Sequence, residues 1–426
     1  MSLVRNAIST WPEEKLGDFL RIKHGFAFKG EFFTDSGKHI LLTPGNFRED
    51  GGLKLKGEKE KFYSGDFPAE FLLCRGDFLI VLTDLTQNAP ILGSPAIIDA
   101  DQRYLHNQRL GKVVDLDTKR LDSRFLFYLL NHHAVRAQIK ATATGATVKH
   151  TAPDRIYAVR FRLPPLSVQQ NVASALSAYD DLIENNTRRI RILEEMTVAI
   201  YREWFVHFRF PGHQNVRMID SPVGKLPQGW RAGILGDVAG EVRRSVDPSE
   251  IDPTTPYFGL EHLPRKSITF GDWGFAKDVQ STKLAFREGE ILFGKIRPYF
   301  HKVGVAPVDG VSSSDAIIIV PATQQAFGLV ICCVSSDEFV AHATQTSQGT
   351  KMPRANWNVL VKYPVVIPPP DLLTRFDGII RDFVSLAQNL MFRNRNLRKT
   401  RDLLLPKLIS GEVDVSKLEL EEATSA

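Results

Sequence analysis

Reading the edges of base pairs calls for forked donors such as Arg, Asn and Gln, or for Lys, while holding phosphates calls for Lys, Arg, hydroxyls and free backbone N–H groups. Such residues gather at three places in each half of this chain. In the first half they are Thr83, Asp84, Thr86 and Gln87, then Asn107, Gln108 and Arg109, then Thr147, Lys149 and His150 with Arg155. In the second they are Lys295, Arg297, Tyr299, His301 and Lys302, then Ser312, Ser313 and Ser314, then Lys351, Arg354, Asn356 and Trp357. The positions correspond, with Thr83 near Ile296 and Arg297, Asn107 near Ser313, and Lys149 near Pro353 and Arg354. Equivalent loops are therefore expected to face the same way. Any one of these residues alone reads equally as a solvated side chain or a turn that holds the fold. The loops at Gly145 and Gly349, with basic residues beside them in both copies, carry the strongest case for nucleic-acid contact. Tyr299 and Trp357 read more readily as packing than as stacking on bases.

Catalytic chemistry finds no comparable support. An adenine amino-methyltransferase needs Asn or Asp before Pro-Pro and an aromatic residue to grip a flipped base, whereas the diprolines here follow Leu163 and Ile367. No Gly-rich cofactor loop and no phosphate-binding loop is present. Pro153-Asp154 and Pro12-Glu13-Glu14-Lys15 only faintly suggest a nuclease, because no second acid stands at a useful spacing for Mg²⁺. No catalytic residue and no metal ligand is expected.

The elements that would position the clusters are duplicated. Gly145-Ala-Thr-Val-Lys149, leading to Pro164-Pro165, returns 204 residues later as Gly349-Thr-Lys-Met-Pro353, leading to Pro368-Pro369. Arg75-Gly76-Asp77-Phe-Leu-Ile is matched 213 residues on by Glu288-Gly289-Glu290-Ile-Leu-Phe. A long helical pattern follows each diproline. Residues 166–210 hold neither Gly nor Pro, and Pro211-Gly212 then stops them. Apolar positions recur as Val172, Leu176, Tyr179, Ile183, Asn186, Ile190, Leu193, Thr197, Ile200 and Trp204, a period of 3.5. The second copy repeats the seam as Phe376, Ile380, Phe383, Ala387, Leu390, Asn394, Leu397, Arg401, Leu404 and Leu408. A helix of about 40 residues is roughly 60 Å long, more than one domain needs for its own core. Each helix could cover its own domain, but matched heptads favour mutual packing as an antiparallel coiled coil, related by a pseudo-twofold axis, with a domain at either end. Asn186, Asn394 and Arg401 would help to set its register.

Between the helices, short apolar runs bounded by Gly, Pro and Asp predict strand-rich domains. The expected fold is thus α+β, with two strand-rich target-recognition domains in tandem repeat separated by two long helices. The boundaries read as a first recognition domain over 1–165, a central long helix over 166–210 and a linker over 211–227. A second recognition domain over 228–369, a distal long helix over 370–415 and a flexible tail over 416–426 complete the chain.

Bulk composition agrees without deciding. The 426 residues suit two domains, and 43% hydrophobic with 24% charged residues is a globular balance. With 54 Lys and Arg against 49 Asp and Glu, net charge argues only weakly for a nucleic-acid partner. The basic residues are local, in 149–162 and 348–362. Cys74, Cys332 and Cys333 suggest neither a disulfide framework nor a zinc site. No signal-like start and no uninterrupted apolar span is present, so a cytoplasmic protein without a membrane partner is expected.

The first helix opens at Leu163-Pro-Pro-Leu166, carries Gln169-Gln170 and Asp180-Asp-Leu-Ile-Glu-Asn-Asn186, and closes with Ala199-Ile-Tyr-Arg-Glu-Trp204-Phe-Val-His-Phe208. This resembles the central conserved region of type I restriction-modification specificity subunits. Arg401-Asp-Leu-Leu-Leu-Pro406-Lys-Leu-Ile-Ser-Gly411-Glu-Val-Asp414 is similar to their distal conserved region. The resemblance spans nearly the whole chain. It implies a non-catalytic subunit whose two domains each read one half of a split double-stranded DNA target, with the paired helices setting the gap. It further implies modification subunits, two of them, that methylate adenine with S-adenosylmethionine, and motor-nuclease restriction subunits that use ATP and Mg. No cofactor is expected in this chain. Trp204, Phe205, Phe208, Leu404 and Leu408 are the expected subunit-interface residues. The competing readings are a coiled-coil scaffold whose domains bind proteins, and a self-sufficient methyltransferase or nuclease.

Overall fold

A computed structural model describes residues 11–415, so the expected tail over 416–426 lies outside the described residues. The chain divides into two compact units, Met1–Asp180 with Lys399–Ala426, and Asp181–Arg398. Both long helices are thus shared between the units.

The first unit is built on an antiparallel sheet in the order Arg21–His24, Leu110–Val114, Phe78–Val81, Pro95–Ile97. Residues Phe78–Val81 are all buried because both faces of this strand are covered. Alternation along the strand sends Phe78 and Ile80 into a core with Phe125, Leu126 and Leu129, and sends Leu79 and Val81 into a separate core with Ile40 and Leu42. A second sheet, Phe33–Thr34, Phe62–Tyr63, Ile40–Leu42, Tyr104–His106, ends in a parallel pair. Asp122 caps helix Ser123–Asn131, accepting from the Arg124 and Phe125 N–H groups at 2.9 Å each.

The second unit repeats this plan. Its antiparallel sheet runs Ala239–Val242, Ala316–Pro321, Ile291–Gly294, Val303–Val305. Ile291 and Phe293 face one core and Leu292 another. A five-stranded sheet again contains one parallel pair, Pro256–Phe258 with Gly310–Ser312. One further likeness escaped the reading of the sequence: Leu16–Asp18 and Leu235–Asp237 are the same tripeptide, Leu-Gly-Asp, folded in both units as one 3-10 turn. Each follows an edge strand paired with the strand that leads into a diproline, Glu13–Lys15 with Arg160–Arg162 and Arg231–Ile234 with Pro364–Ile367.

The first long helix runs Leu166–Tyr201 and ends in one π-type turn, Arg202–Val206. The second runs Pro370–Ser410, with Pro370 at its first turn, where a missing N–H costs nothing. In the first unit Val172 and Leu176 share a core with Leu408 and Ile409, and Asn171 Nδ2 donates to the Val415 carbonyl at 2.9 Å. In the second Leu193 packs with Ala387 and Leu390, and the Trp204 and Phe376 rings lie 5.4 Å apart. Partner numbers fall as the first helix's numbers rise, so the segments are antiparallel in each unit. Two of the expected polar slots meet: Asn186 Nδ2 donates to Asn394 Oδ1 at 3.0 Å, and Asn394 Nδ2 donates to the Ile183 carbonyl and Thr187 Oγ1. Both amide nitrogens and the Asn394 oxygen are thus partnered across the seam, which favours one register.

The expected interface residues are placed differently from the expectation. Trp204 and Phe205 are buried in the second unit's own core, and Phe208 packs edge-on to Trp230 at 5.4 Å. Leu408 is buried in the first unit's core, and Leu404 packs against it. Their apolar area is spent on intramolecular packing, the outcome when an aromatic cluster finds a partner helix within its own chain. The large apolar side chains left exposed on the long helices are instead Leu182, Ile192, Met196, Val198, Val206 and Leu386, all in the second unit, and Leu403 in the first. The segment read as a linker contains a hairpin, Met218–Ser221 with Gly224–Pro227. Among the described residues, no single helix is long and apolar enough to cross a membrane.

Candidate nucleic-acid interface

In each unit, the three clusters converge on one residue at the end of a buried strand. In the first unit that residue is Leu82, whose N–H donates to the Arg109 carbonyl at 3.0 Å and whose carbonyl accepts from Thr151 N–H at 2.9 Å. In the second it is Lys295, whose N–H donates to the Asp315 carbonyl and whose carbonyl accepts from Ala355 N–H, both at 2.9 Å. The glycine loops close alike. Thr144 and His150 exchange two backbone hydrogen bonds at 2.9 Å, and Gln348 and Arg354 exchange two at 3.0 and 2.8 Å. Gly145 and Gly349 take φ values of +98° and +101°, a region that side-chain-bearing residues rarely enter. The backbone, not the side chains, is what the duplication preserves.

Side chains of the first unit divide into holders and presenters. Thr83–Asp84 pairs with Lys149–His150, and Thr83 Oγ1 lies 2.9 Å from His150 Nδ1. Asp84 is 1% exposed, its carboxylate accepting from Thr86 N–H, Thr86 Oγ1 and Ile91 N–H at 2.7–2.9 Å. Thr83 and Asp84 are therefore loop-holding residues, because a buried carboxylate with three internal donors has nothing left to offer a ligand. Arg155 is likewise drawn inward, donating to the Thr142 carbonyl and lying 3.5 Å from Thr144 Oγ1. Thr86, Gln87, Thr147 and His150 are exposed, and Lys149 is half-buried. Asn107 is half-buried and accepts from Arg109 N–H at 3.0 Å, leaving Gln108 and Arg109 exposed. Leu85 and Asn88 are exposed at the same loop tip, and Asn88, a forked donor by type, was not among the residues singled out.

The second unit presents a different surface. His301 and Ser312 are buried: His301 Nε2 lies 2.8 Å from the Ser335 carbonyl, and Ser312 Oγ donates to the Phe258 carbonyl at 2.8 Å. Both hold the fold. Lys302 donates to the Leu260 carbonyl, and burial, helped by the Arg265 charge, pushes its ammonium pKa down. Lys295 is half-buried, and Ser313 accepts from Asp315 N–H at 3.0 Å. Asn356 is exposed and caps the turn Trp357–Leu360, while Trp357 is buried, as packing requires. Arg297, half-buried, adopts φ +49°, and its Nη2 lies 3.4 Å from the Lys351 carbonyl. Tyr299, Ser314, Lys351 and Arg354 are exposed. Among the described residues no group of three or more His, Cys, Asp or Glu side chains could hold a metal ion.

One buried histidine ties the first unit's loops to pH. His106, 1% exposed, precedes the Asn107 cluster and contacts the Leu110 carbonyl through Nε2 at 2.9 Å. Burial pushes its pKa down to about 4. The folded pKa lies below the unfolded value, so as pH falls below about 6.5 the unfolded chain takes up the proton first. Stability from this group is complete above that pH and is lost towards pH 4. The expected loss is about 2 kcal/mol between pH 6.5 and 5, at ~1.4 kcal/mol per unit. Comparing denaturant midpoints of the wild type and His106→Gln at both pH values checks this, and an unchanged pH slope in the variant refutes it.

Residues 8–195 match the family of type I restriction modification DNA specificity domains. The MjaIX specificity subunit of Methanocaldococcus jannaschii is 26% identical over 78% of this chain and 78% of that protein. The HindI specificity subunit of Haemophilus influenzae is 24% identical over 95% of this chain and all of its own length. Over most of its length the chain is thus similar to specificity subunits of type I restriction-modification systems. The crystal structure of an S subunit from M. genitalium shares the fold of this chain, with a TM-score of 0.59 at 16% identity, covering 94% of this chain and 96% of that one. Such specificity subunits are the non-catalytic components of their complexes.

Proposed function

We propose that this chain is a specificity subunit that reads a bipartite, asymmetric double-stranded DNA target, one half-site per unit, and directs adenine methylation and restriction by partner subunits. The observation that carries the proposal is the doubled convergence of three loops on Leu82 and on Lys295. One backbone frame bearing two different sets of exposed side chains suits two readers of unlike half-sites. Phosphate contacts would place each reader and base-edge contacts would select the sequence. The paired helices would set the gap between half-sites, which about one helical turn of DNA would place on the same face of the duplex.

The chemistry then belongs to partners: two modification subunits holding S-adenosylmethionine, and restriction subunits using ATP and Mg, in the cytoplasm. The exposed apolar side chains Leu182, Ile192, Met196 and Leu386 support docking of modification subunits along the long helices.

Replacing Lys351 and Arg354 together by alanine tests the DNA reading. Affinity should fall, and the slope of log affinity against log salt should shrink by about 2, close to one per lost phosphate contact. The base preference of the other half-site should persist. Salt titration of binding by the chain with its modification partner measures this, and an unchanged slope takes the Gly349 loop out of the interface.

A further inference from the structure

The two units carry opposite charges at one matched position. Asp84 and Arg297 stand 213 residues apart, the offset that relates this part of the repeat. In the first unit the residue is a buried acid that organises its own loop. In the second, backbone bonds replace that acid. Arg297 N–H donates to the Pro353 carbonyl at 2.7 Å, and Pro298 begins a 3-10 turn ending at Phe300. The side chain is thereby released from holding the loop.

Two of the other cations nearby have close partners of their own, and a third has only a long one. Arg265 lies over the Phe300 ring at 4.0 Å, Lys302 donates to the Leu260 carbonyl, and Arg354 lies 3.9 Å from an Asp315 carboxylate oxygen. Lys351 is exposed but has no fork. Arg297 forms no ion pair among the described residues, its guanidinium lies 5.9 Å from the Phe300 ring, and of its five N–H donors one makes a long contact, to the Lys351 carbonyl at 3.4 Å. That contact and the Pro353 bond tie it to the Gly349 loop, where Lys351 and Arg354 can hold phosphates on either side. Its left-handed backbone, φ +49°, is sparsely populated by non-glycine residues and is retained where surrounding structure demands it.

We infer that Arg297 is a specificity-determining residue that reads a guanine in the half-site of the second unit, its guanidinium donating in bidentate fashion to O6 and N7 in the major groove. The first reader, with Asp84 at this position and Gln87 and Asn88 at its tip, has no equivalent guanidinium. The inference rests on the proposed reading of the chain as a reader of split DNA.

The full chain assembled with its modification subunits is used to methylate a library of randomised duplex DNA, and the modified motif is read by sequencing. The wild type should require one G·C pair in one half-site. Arg297→Ala and Arg297→Gln should lose roughly 10- to 100-fold discrimination at that pair, with every other position unchanged. Arg297→Lys should keep part of the preference. A wild-type motif without a required G·C pair in either half-site overturns the inference without any variant. So does a variant that keeps the motif, or one whose methylation falls equally for all sequences, the mark of a phosphate contact. Should Arg297→Ala fail to fold, Arg297→Lys and the wild-type motif still decide. A wild-type complex that methylates no defined motif defeats the underlying reading instead.

Discussion

Replacing Phe205 with alanine is expected to destabilise the unit Asp181–Arg398 by about 3–5 kcal/mol, the range for truncating a buried aromatic residue. Phe205 is 5% exposed, with the Phe376, Tyr201 and Trp230 rings at 4.7, 5.3 and 5.3 Å. Those rings come from the second long helix, the first long helix and the segment after it. Collapse of the cavity would have to draw in three separately anchored elements, so little relaxation is available. Denaturant unfolding of the isolated chain measures the loss. A change below about 1 kcal/mol, accompanied by weakened assembly with modification subunits, would restore Phe205 to the intersubunit role first expected of it.

Arg401→Ala is expected to cost about 3 kcal/mol in the unit that contains it. The Arg401 guanidinium, 13% exposed, lies 2.6 Å from Asp180 on the first long helix and 3.1 Å from Asp50. Tyr128 Oη donates to the other Asp180 oxygen at 2.6 Å. Removing the arginine leaves Asp180, at 31% side-chain exposure, without its counter-ion. Breaking a buried pair costs about 3–5 kcal/mol, and the low end applies because Asp50 and Asp402 are more than half exposed and water would screen them. A double-mutant cycle with Asp180→Asn should return a coupling of about 1 kcal/mol or more. Independent, additive effects would show that Arg401 packs through its stem and that the charge pairing is incidental.

These two sites show how differently the chain's features could be read in advance. The 3.5-residue seam placed Val172, Leu176, Ile183, Leu193, Phe376, Ile380, Ala387 and Leu390 in the buried stripe where they are found. Asn186 and Asn394 could be matched as polar slots, and they meet. The repeat identified the glycine loops in both halves. The Leu-Gly-Asp turns were equally present in the chain, but three residues are too few to stand out from chance likeness. Asp84, Ser312, His301 and Trp204, by contrast, were assigned by residue type to a surface that they do not reach.

The sequence by itself determined the duplication, the two long helices and the loops that bear donors, because periodicity and punctuation are local properties written along the chain. Only the tertiary structure decided which donors are free. Ser312 meets a carbonyl 54 positions away and Thr83 a ring 67 positions away, and no local pattern encodes such partners. Whether a polar side chain serves the fold or faces a ligand depends on whether another part of the chain has already satisfied it, and that is settled when the strands pair.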